Sequence, residues 1–367
     1  MNRKAPTQKY QKYLITASLP AALSVFGLFL VYSVVYEENI LRFQVQLFAV
    51  LAGMTGMVLL SALDFRRFRR SLSLLLYGIS VSLLVLTLLI GDGPGNKSWI
   101  SIPGLILEFQ PSELVKVLFI FTFSQHIARL EEEKRLGTLR GIAALFFHFA
   151  SLTALVLAQR DVGNALIYCF ICAVMLIAAR LRMRYYIGSI AGLAASAPLL
   201  WHFMGEHRRQ RVLAGFHPAA DPDGYGYQAL KSMAAIAAGG ITGNGWLALT
   251  AAREVPALHT DMILAALAEQ FGILGVLFLI LLETALILRI IVIAARTDMA
   301  SSLLCIGVSA LIFGQFIISV GMCLGQLPVI GVTLPFISYG GSSVFSLFCA
   351  CGLVLAADKL PVNDAIK

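Results

Sequence analysis

Apolar runs long enough to cross a bilayer recur from one end of this chain to the other, and no other feature restricts its fold so strongly. A hydrocarbon core of about 30 Å takes about 20 apolar residues in helical form. Segments near 14–36, 43–63, 71–91, 112–128, 141–159, 163–179, 185–204, 262–288, 301–326 and 338–357 meet that requirement. Lipid cannot satisfy a backbone N–H or C=O, so each run must close its hydrogen bonds internally as a helix. Composition agrees: 59% of the residues are hydrophobic and 13% charged, where soluble domains carry about a quarter charged residues. The expected fold is all-α, one polytopic integral membrane domain over residues 1–367 with about ten transmembrane helices.

The net charge of +8 would suit nucleic acid, but its placement argues against that partner. Basic clusters ("NRKAPTQKYQK", "DFRRFRR", "RLEEEKRLGTLR", "RLRMR", "RIIVIAAR") fall at alternate ends of the apolar runs. This positive-inside pattern puts both termini in the cytoplasm and makes the chain a multi-pass protein. "EHRRQR" on an outer loop is the exception. The apolar run after the basic N-terminus is long enough to span, so no cleavable leader is expected. The six cysteines lie in apolar runs, where packing is the expected role even for the Cys169–Cys172 spacing.

Three segments do not read as spans, and this topology puts all three outside: 91–114, about 205–261, and 327–343. They hold too many aliphatic and aromatic residues for disorder. Irregular backbone at membrane depth survives only where it is buried or lines a wet cavity. The expectation is an outward-facing cavity walled by short re-entrant or interfacial pieces of the large loop.

Charged residues fall at that wall. Glu113 and Lys116 share a helix face just after Pro111, either as an internal ion pair or as cavity shapers. Asp161 stands at a tight turn, where capping is expected. Asp261 precedes a long apolar run; it caps the helix, with Thr260 sharing that role, or it does chemistry. Glu269 lies about 12 Å deeper by helix rise and needs an interior partner or a cavity. "RRQR", containing Arg209 and Arg211, supplies guanidinium forks suited to phosphate or to lipid headgroups. The glycines of "AAGGITGNG" lack the Lys-Ser/Thr ending of a nucleotide loop, so no nucleotide is expected and close packing or a re-entrant turn is. The six histidines form no metal motif, and His259 is singled out for its closeness to Asp261. The residues alone leave two classes open, an enzyme acting on a phosphorylated lipid and a transporter of one.

Five segments, taken in order, resemble the SEDS family of bacterial cell-wall proteins, which includes RodA, FtsW and SpoVE. They are "KSWISIPGLILEFQPSELVK", "AQRDVGNA", "RQRVLAGFHPAADPDGYGYQALKS", "VPALHTDMILAALAEQFGILG" and "GMCLGQLPVIGVTLPFISYGGSS". The resemblance implies a ten-helix peptidoglycan glycosyltransferase that polymerises lipid II at the outer face of the bacterial cytoplasmic membrane, beside a class B penicillin-binding protein. It puts the essential carboxylate at Asp261, as general base or as a ligand of a divalent cation such as Mg²⁺ or Mn²⁺. Substrate or cavity positions implied on the same motifs are Lys97, Trp99, Glu113 and Lys116, then Arg209, Arg211, Gln228 and Lys231. His259, Thr260, Glu269, Ser338 and Ser342 complete the set. Lys97, Arg160 (where proline is common), Asn164, Ala257, Met262, Gln270 and Ser319 depart from the family pattern. A lipid II flippase and a non-catalytic scaffold are the competing readings.

Overall fold

The computed structural model describes residues 5–37, 39–64, 69–93, 96–101, 108–182 and 205–358, with isolated positions between 184 and 202. Among the described residues eleven α-helices follow one another: α1 (Ala5–Val35), α2 (Ile40–Ala62), α3 (Arg69–Ile90), α4 (Pro111–Glu132), α5 (Leu139–Ala158), α6 (Val162–Ala178), α7 (Glu206–Phe216), α8 (Tyr227–Ala238), α9 (Ile263–Ala294), α10 (Met299–Cys323) and α11 (Gly341–Asp358). β1 (Ile100–Ser101) pairs antiparallel with β2 (Glu108–Phe109), the one sheet among the described residues. The expected span at 185–204 lies largely outside the described residues, as do both chain ends. The last span begins at Gly341 rather than 338, because residues 335–340 turn before the helix starts.

Among the described residues seven helices are long and apolar enough to cross a membrane: α1, α2, α3, α5, α9, α10 and α11. Helix α4 is more polar and is not among them, yet most of its residues between Pro111 and Leu130 are buried. Neighbouring helices rather than lipid surround it, so its polar residues find protein partners. Small residues set the tightest helix contacts. A Cβ at Gly53 of α2 would come within 2.6 Å of the Phe348 ring, and one at Gly352 of α11 within 2.8 Å of the Met57 carbonyl. Glycines on both partners thus let α2 and α11 pack backbone to backbone, as membrane helices do without a hydrophobic drive between them.

Helix α9 is broken. Gly272 sits at φ 63 and ψ −165 inside it, a conformation that glycine alone adopts readily. The glycine-rich turn 239–245 docks into the break. Ile273 N–H donates to Gly240 O (3.0 Å) and Leu274 N–H to Ile241 O (3.2 Å). In the other direction, Asn244 N–H donates to Glu269 O (2.9 Å) and Gly245 N–H to Gln270 O (3.0 Å). The turn replaces the helical hydrogen bonds that the break removes, which is how non-helical backbone is tolerated at this depth. A Cβ at Gly239 would lie 1.8 Å from Ala268 O, so the approach requires glycine. The re-entrant turn expected of "AAGGITGNG" is present.

The segment 327–340 is a hub against which several helices pack. Gly27 of α1, Gly163 of α6 and Gly215 of α7 each press against it, so that added Cβ atoms would meet Phe336 O at 2.6 Å, Ile330 O at 2.4 Å and Pro328 Cα at 2.2 Å.

Candidate active site

Asp261 closes the loop that leads into α9, and its carboxylate is left unused by the fold. The N-cap of α9 is Met262, which offers no side-chain cap, and Thr260 turns its hydroxyl back to Ala257 O (3.1 Å). The capping roles considered for Asp261 and Thr260 are therefore absent. Among the described residues the Asp261 carboxylate accepts no hydrogen bond; its backbone carbonyl meets Cys323 Sγ at 3.5 Å. Gly331, at φ 74, passes beneath it, and a Cβ there would stand 3.7 Å from Oδ2. Burial raises the Asp261 pKa from 3.8 to about 6, while the nearby Arg211 guanidinium pulls it down. Arg211 spends one N–H on Val329 O (2.7 Å) and is otherwise exposed. A half-buried carboxylate that takes up a proton near neutrality, beside a guanidinium with unspent donors, is equipped to accept a proton from one group and to hold an anion nearby.

The Asp261 loop is fixed to the hub by several hydrogen bonds. Ser338 Oγ donates to Thr260 O (2.6 Å) and accepts from Leu334 N (2.9 Å), while Tyr339 N–H donates to His259 O (2.8 Å). Gln46 of α2 closes the arrangement: its Nε2 donates to Ser338 O (3.0 Å) and its Oε1 accepts from Gly340 N (3.0 Å). Ser342 Oγ accepts from Gln110 N (2.9 Å), tying the start of α11 to the start of α4. His259 packs against the Tyr339 ring at 5.5 Å between centroids. Burial and the Arg42 charge lower its pKa to about 4, so it is neutral at pH 7 and is no cation for phosphate.

A second polar cluster lies across the hub. Lys116 Nζ, fully buried, bonds Glu113 Oε1 and Asn164 Oδ1, each at 2.7 Å. Asn164 Nδ2 passes the chain on to Asp161 Oδ2 (2.8 Å), which also accepts from Gln110 Nε2 (2.9 Å). Asp161 Oδ1 meanwhile caps α6 through Asn164 N (3.1 Å), the role its turn suggested. Every member has a partner, as a buried charged network requires. It fixes α4 to α6, and α6 presses Gly163 on Ile330, the residue before Gly331.

The remaining sequence candidates hold the frame. Arg209 donates to Trp201 O (2.8 Å) and His202 O (2.6 Å), which removes its fork from phosphate binding. Glu269 is fully buried and is held by the loop before it: Thr250 N, Thr250 Oγ1 and Ala251 N donate to its Oε1 (3.0, 2.6 and 2.9 Å) and Ala252 N to its Oε2 (2.7 Å). Gln228 Nε2 donates to Pro256 O (2.9 Å), and Lys231 pairs with Glu254. Lys97 is exposed and Trp99 half-buried in the segment before β1, where Asp92 and Trp99 form an isolated antiparallel bridge and Lys97 N–H donates to Gln159 O (2.9 Å). Sequence reasoning missed Gln46, whose one available signal was a polar side chain within an apolar run. Among the described residues no group of three His, Cys, Asp or Glu side chains could hold a metal ion.

The fold and site define a class: a polytopic helical membrane protein with an ionisable carboxylate, clear of hydrogen bonds among the described residues, where its loops meet. The comparisons with known proteins narrow that class. The "Cell cycle protein" model of FtsW, RodA and SpoVE matches residues 13–361, and the chain belongs to this family. It is 30% identical over 372 residues to a probable peptidoglycan glycosyltransferase FtsW of Geobacter metallireducens, covering 97% of each chain. It is 35% identical to the peptidoglycan glycosyltransferase MrdB of Escherichia coli K12, over 77% of this chain and 76% of that one. Two solved structures share the fold. A chain from a peptidoglycan synthase complex, studied for its coordination of polymerization and crosslinking, aligns at TM-score 0.81 and 28% identity, covering 94% of this chain and 96% of its own. The rod shape determining protein RodA of Thermus thermophilus aligns at TM-score 0.71 and 26% identity, with 94% and 96% covered.

Proposed function

We propose that this protein is a peptidoglycan glycosyltransferase that polymerises lipid II into glycan strands at the outer face of a bacterial cytoplasmic membrane. The observation that carries the reading is the Asp261 carboxylate, free of hydrogen bonds among the described residues, half-buried, and beside Arg211. The family relationship supports the reaction class. In the reaction, the 4-hydroxyl of one N-acetylglucosamine forms a bond to the anomeric carbon of another sugar, whose bond to the lipid pyrophosphate breaks. The hydroxyl proton passes to the Asp261 carboxylate as the new bond forms. Arg211 offers its remaining N–H donors to the departing pyrophosphate. The polyprenyl chain requires a site open to lipid, which a membrane helix bundle provides.

A divalent cation, Mg²⁺ or Mn²⁺, belongs to the proposal as a second means of neutralising the pyrophosphate. Such ions bind through one or two carboxylates together with substrate phosphates, without needing a protein cage. The open carboxylate oxygens of Asp261 fit that donor chemistry. The partner we propose is a class B penicillin-binding protein, in keeping with the synthase complex whose chain this one resembles. Both termini are assigned to the cytoplasm by the positive-inside pattern. The test is incubation of purified protein with labelled lipid II, alone and with its partner, scored for polymer on a gel. Polymer that depends on Asp261 supports the enzyme. Transfer of lipid II across vesicles without polymer would support a flippase, and neither activity a scaffold.

A further inference from the structure

On the side of the bundle opposite Asp261, a cavity of about 530 Å³ opens between the first halves of α3 and α5, the second half of α4 and the start of α10. That volume falls within the range of small-molecule sites, about 300–1,000 Å³. Its floor is a histidine pair that the sequence does not bring together: His126 Nδ1 and His148 Nδ1 are 3.0 Å apart. The Thr122 hydroxyl lies 3.2 Å from Phe119 O and 3.1 Å from His148 Nε2. In the tautomer in which that hydroxyl donates to Phe119 O, His148 carries its proton on Nε2 and accepts on Nδ1, and His126 donates from Nδ1. His126 Nε2 is then left with a lone pair and no partner among the described residues.

At the mouth, Arg129 Nε bonds Glu133 Oε1 (2.7 Å), and Glu133 is shared with Arg135 (3.1 Å). The terminal nitrogens of Arg129 and the carboxylate of Glu132 are uncommitted among the described residues. The rim is apolar and turned outward: Leu74 is 65% and Phe147 70% exposed, both on helices that span. Donors for an anion, acceptors for a cation and an edge for acyl chains thus meet in one place. No metal set forms around the histidines among the described residues.

We propose that this cavity binds a zwitterionic aminophospholipid of the membrane leaflet on that side, of the phosphatidylethanolamine class. Arg129 takes the phosphate. The primary ammonium, with three N–H donors, bonds Glu132 and the lone pair of His126 Nε2. The acyl chains lie along Leu74 and Phe147. A choline headgroup has no N–H to donate. A glycerol headgroup brings net negative charge to Glu132 and Glu133 with no cation to offset it.

The test uses the purified full chain, delipidated in dodecyl maltoside, with native mass spectrometry of bound dioleoyl phosphatidylethanolamine, phosphatidylcholine and phosphatidylglycerol. Wild type should retain the ethanolamine lipid about tenfold better than the choline lipid, the scale of one charge-assisted hydrogen bond. Glu132→Gln should bring the two within about twofold, and Arg129→Gln should weaken all three. Ala144→Trp, which fills the cavity without touching its polar groups, should remove the bound lipid while circular dichroism stays helical. The proposal falls if phosphatidylglycerol is retained best, or if Glu132→Gln or Ala144→Trp leaves the ethanolamine preference intact. It falls equally if soluble phosphoethanolamine displaces the lipid at equal concentration, which would make the ligand a free headgroup.

Discussion

Gln46 and Ser338 lie 292 positions apart in the chain and 3.0 Å apart in space, joined by the Gln46 Nε2–H to Ser338 O hydrogen bond. The same side chain accepts Gly340 N–H through Oε1, so one amide fixes the turn that holds Thr260 and, next to it, Asp261. Gln46→Leu keeps the volume but strands a donor and an acceptor, each costing about 1–3 kcal/mol when buried. Its thermal midpoint should fall, and polymerisation should fall by more than the folded fraction does. Wild-type activity in Gln46→Leu at a temperature where it is folded would remove the turn from the account of the site.

Glu269 collects four hydrogen bonds from residues 250–252 and holds the loop that leads to Asp261. Glu269→Gln turns an NH₂ group toward backbone N–H donors that need an acceptor. A loss of about 1–3 kcal/mol is expected, with faster amide exchange confined to residues near 250–262. Unchanged exchange there would show that the loop is held by other contacts.

The paired charges Glu113 and Lys116 are buried at 6% and 0% exposure, so removing one leaves the other alone in the bundle. Either single alanine should cost about 3–5 kcal/mol. Glu113→Gln with Lys116→Met should be milder than the sum. Additive costs in the double-mutant cycle would mean that the pair is not coupled. Stability recovered without polymerisation would show that the charges also serve the site.

How much of this was readable beforehand differs from residue to residue. The seven spanning helices among the described residues follow from apolar length alone, and the Asp161 cap followed from a short polar residue at a tight turn. The docking of 239–245 was foreshadowed by its glycines, but the break at Gly272 was not, because one glycine in an apolar run looks like ordinary helix. Arg209 and Arg211 are two residues apart and chemically identical. Only the path of the chain shows that one closes on the carbonyls of Trp201 and His202 while the other stands by Asp261. Glu269 was rightly judged too deep to cap its own helix. Its partners, 17 to 19 positions earlier, form a loop with no periodic signal.

Arg160 occupies the left-handed region at φ 64, where a side chain costs about 1–2 kcal/mol and glycine almost nothing. Arg160→Gly should therefore raise the thermal midpoint. Arg160→Pro, which restores the residue common in the resembled family, should lower it, since proline is held near φ −65°. A stabilising proline would mean that the turn between α5 and α6 readily takes another shape.

Asp261 connects stability to chemistry. Its folded pKa of about 6 lies above the ordinary 3.8, so between those values the folded state binds more protons than the unfolded. Stability then falls as pH rises from about 4 to about 6, and the whole penalty is in place above that. Asp261→Asn has no charge to bury. Since the N-cap of α9 is Met262, which offers no side-chain cap, the amide has no capping duty to fail. The variant should be at least as stable as wild type at pH 7, with the difference vanishing near pH 4. It should still bind its partner, yet lose polymerisation of lipid II by about 10²–10⁴, the usual worth of a general base. Wild-type polymerisation should climb as pH passes upward through about 6, as the carboxylate ionises, and then level. Asp261→Glu should also be poor, because displacing the carboxylate by about 1 Å costs about a hundredfold. Near-normal polymer from Asp261→Asn would rule the carboxylate out as base and return the residue to a passive place in the loop.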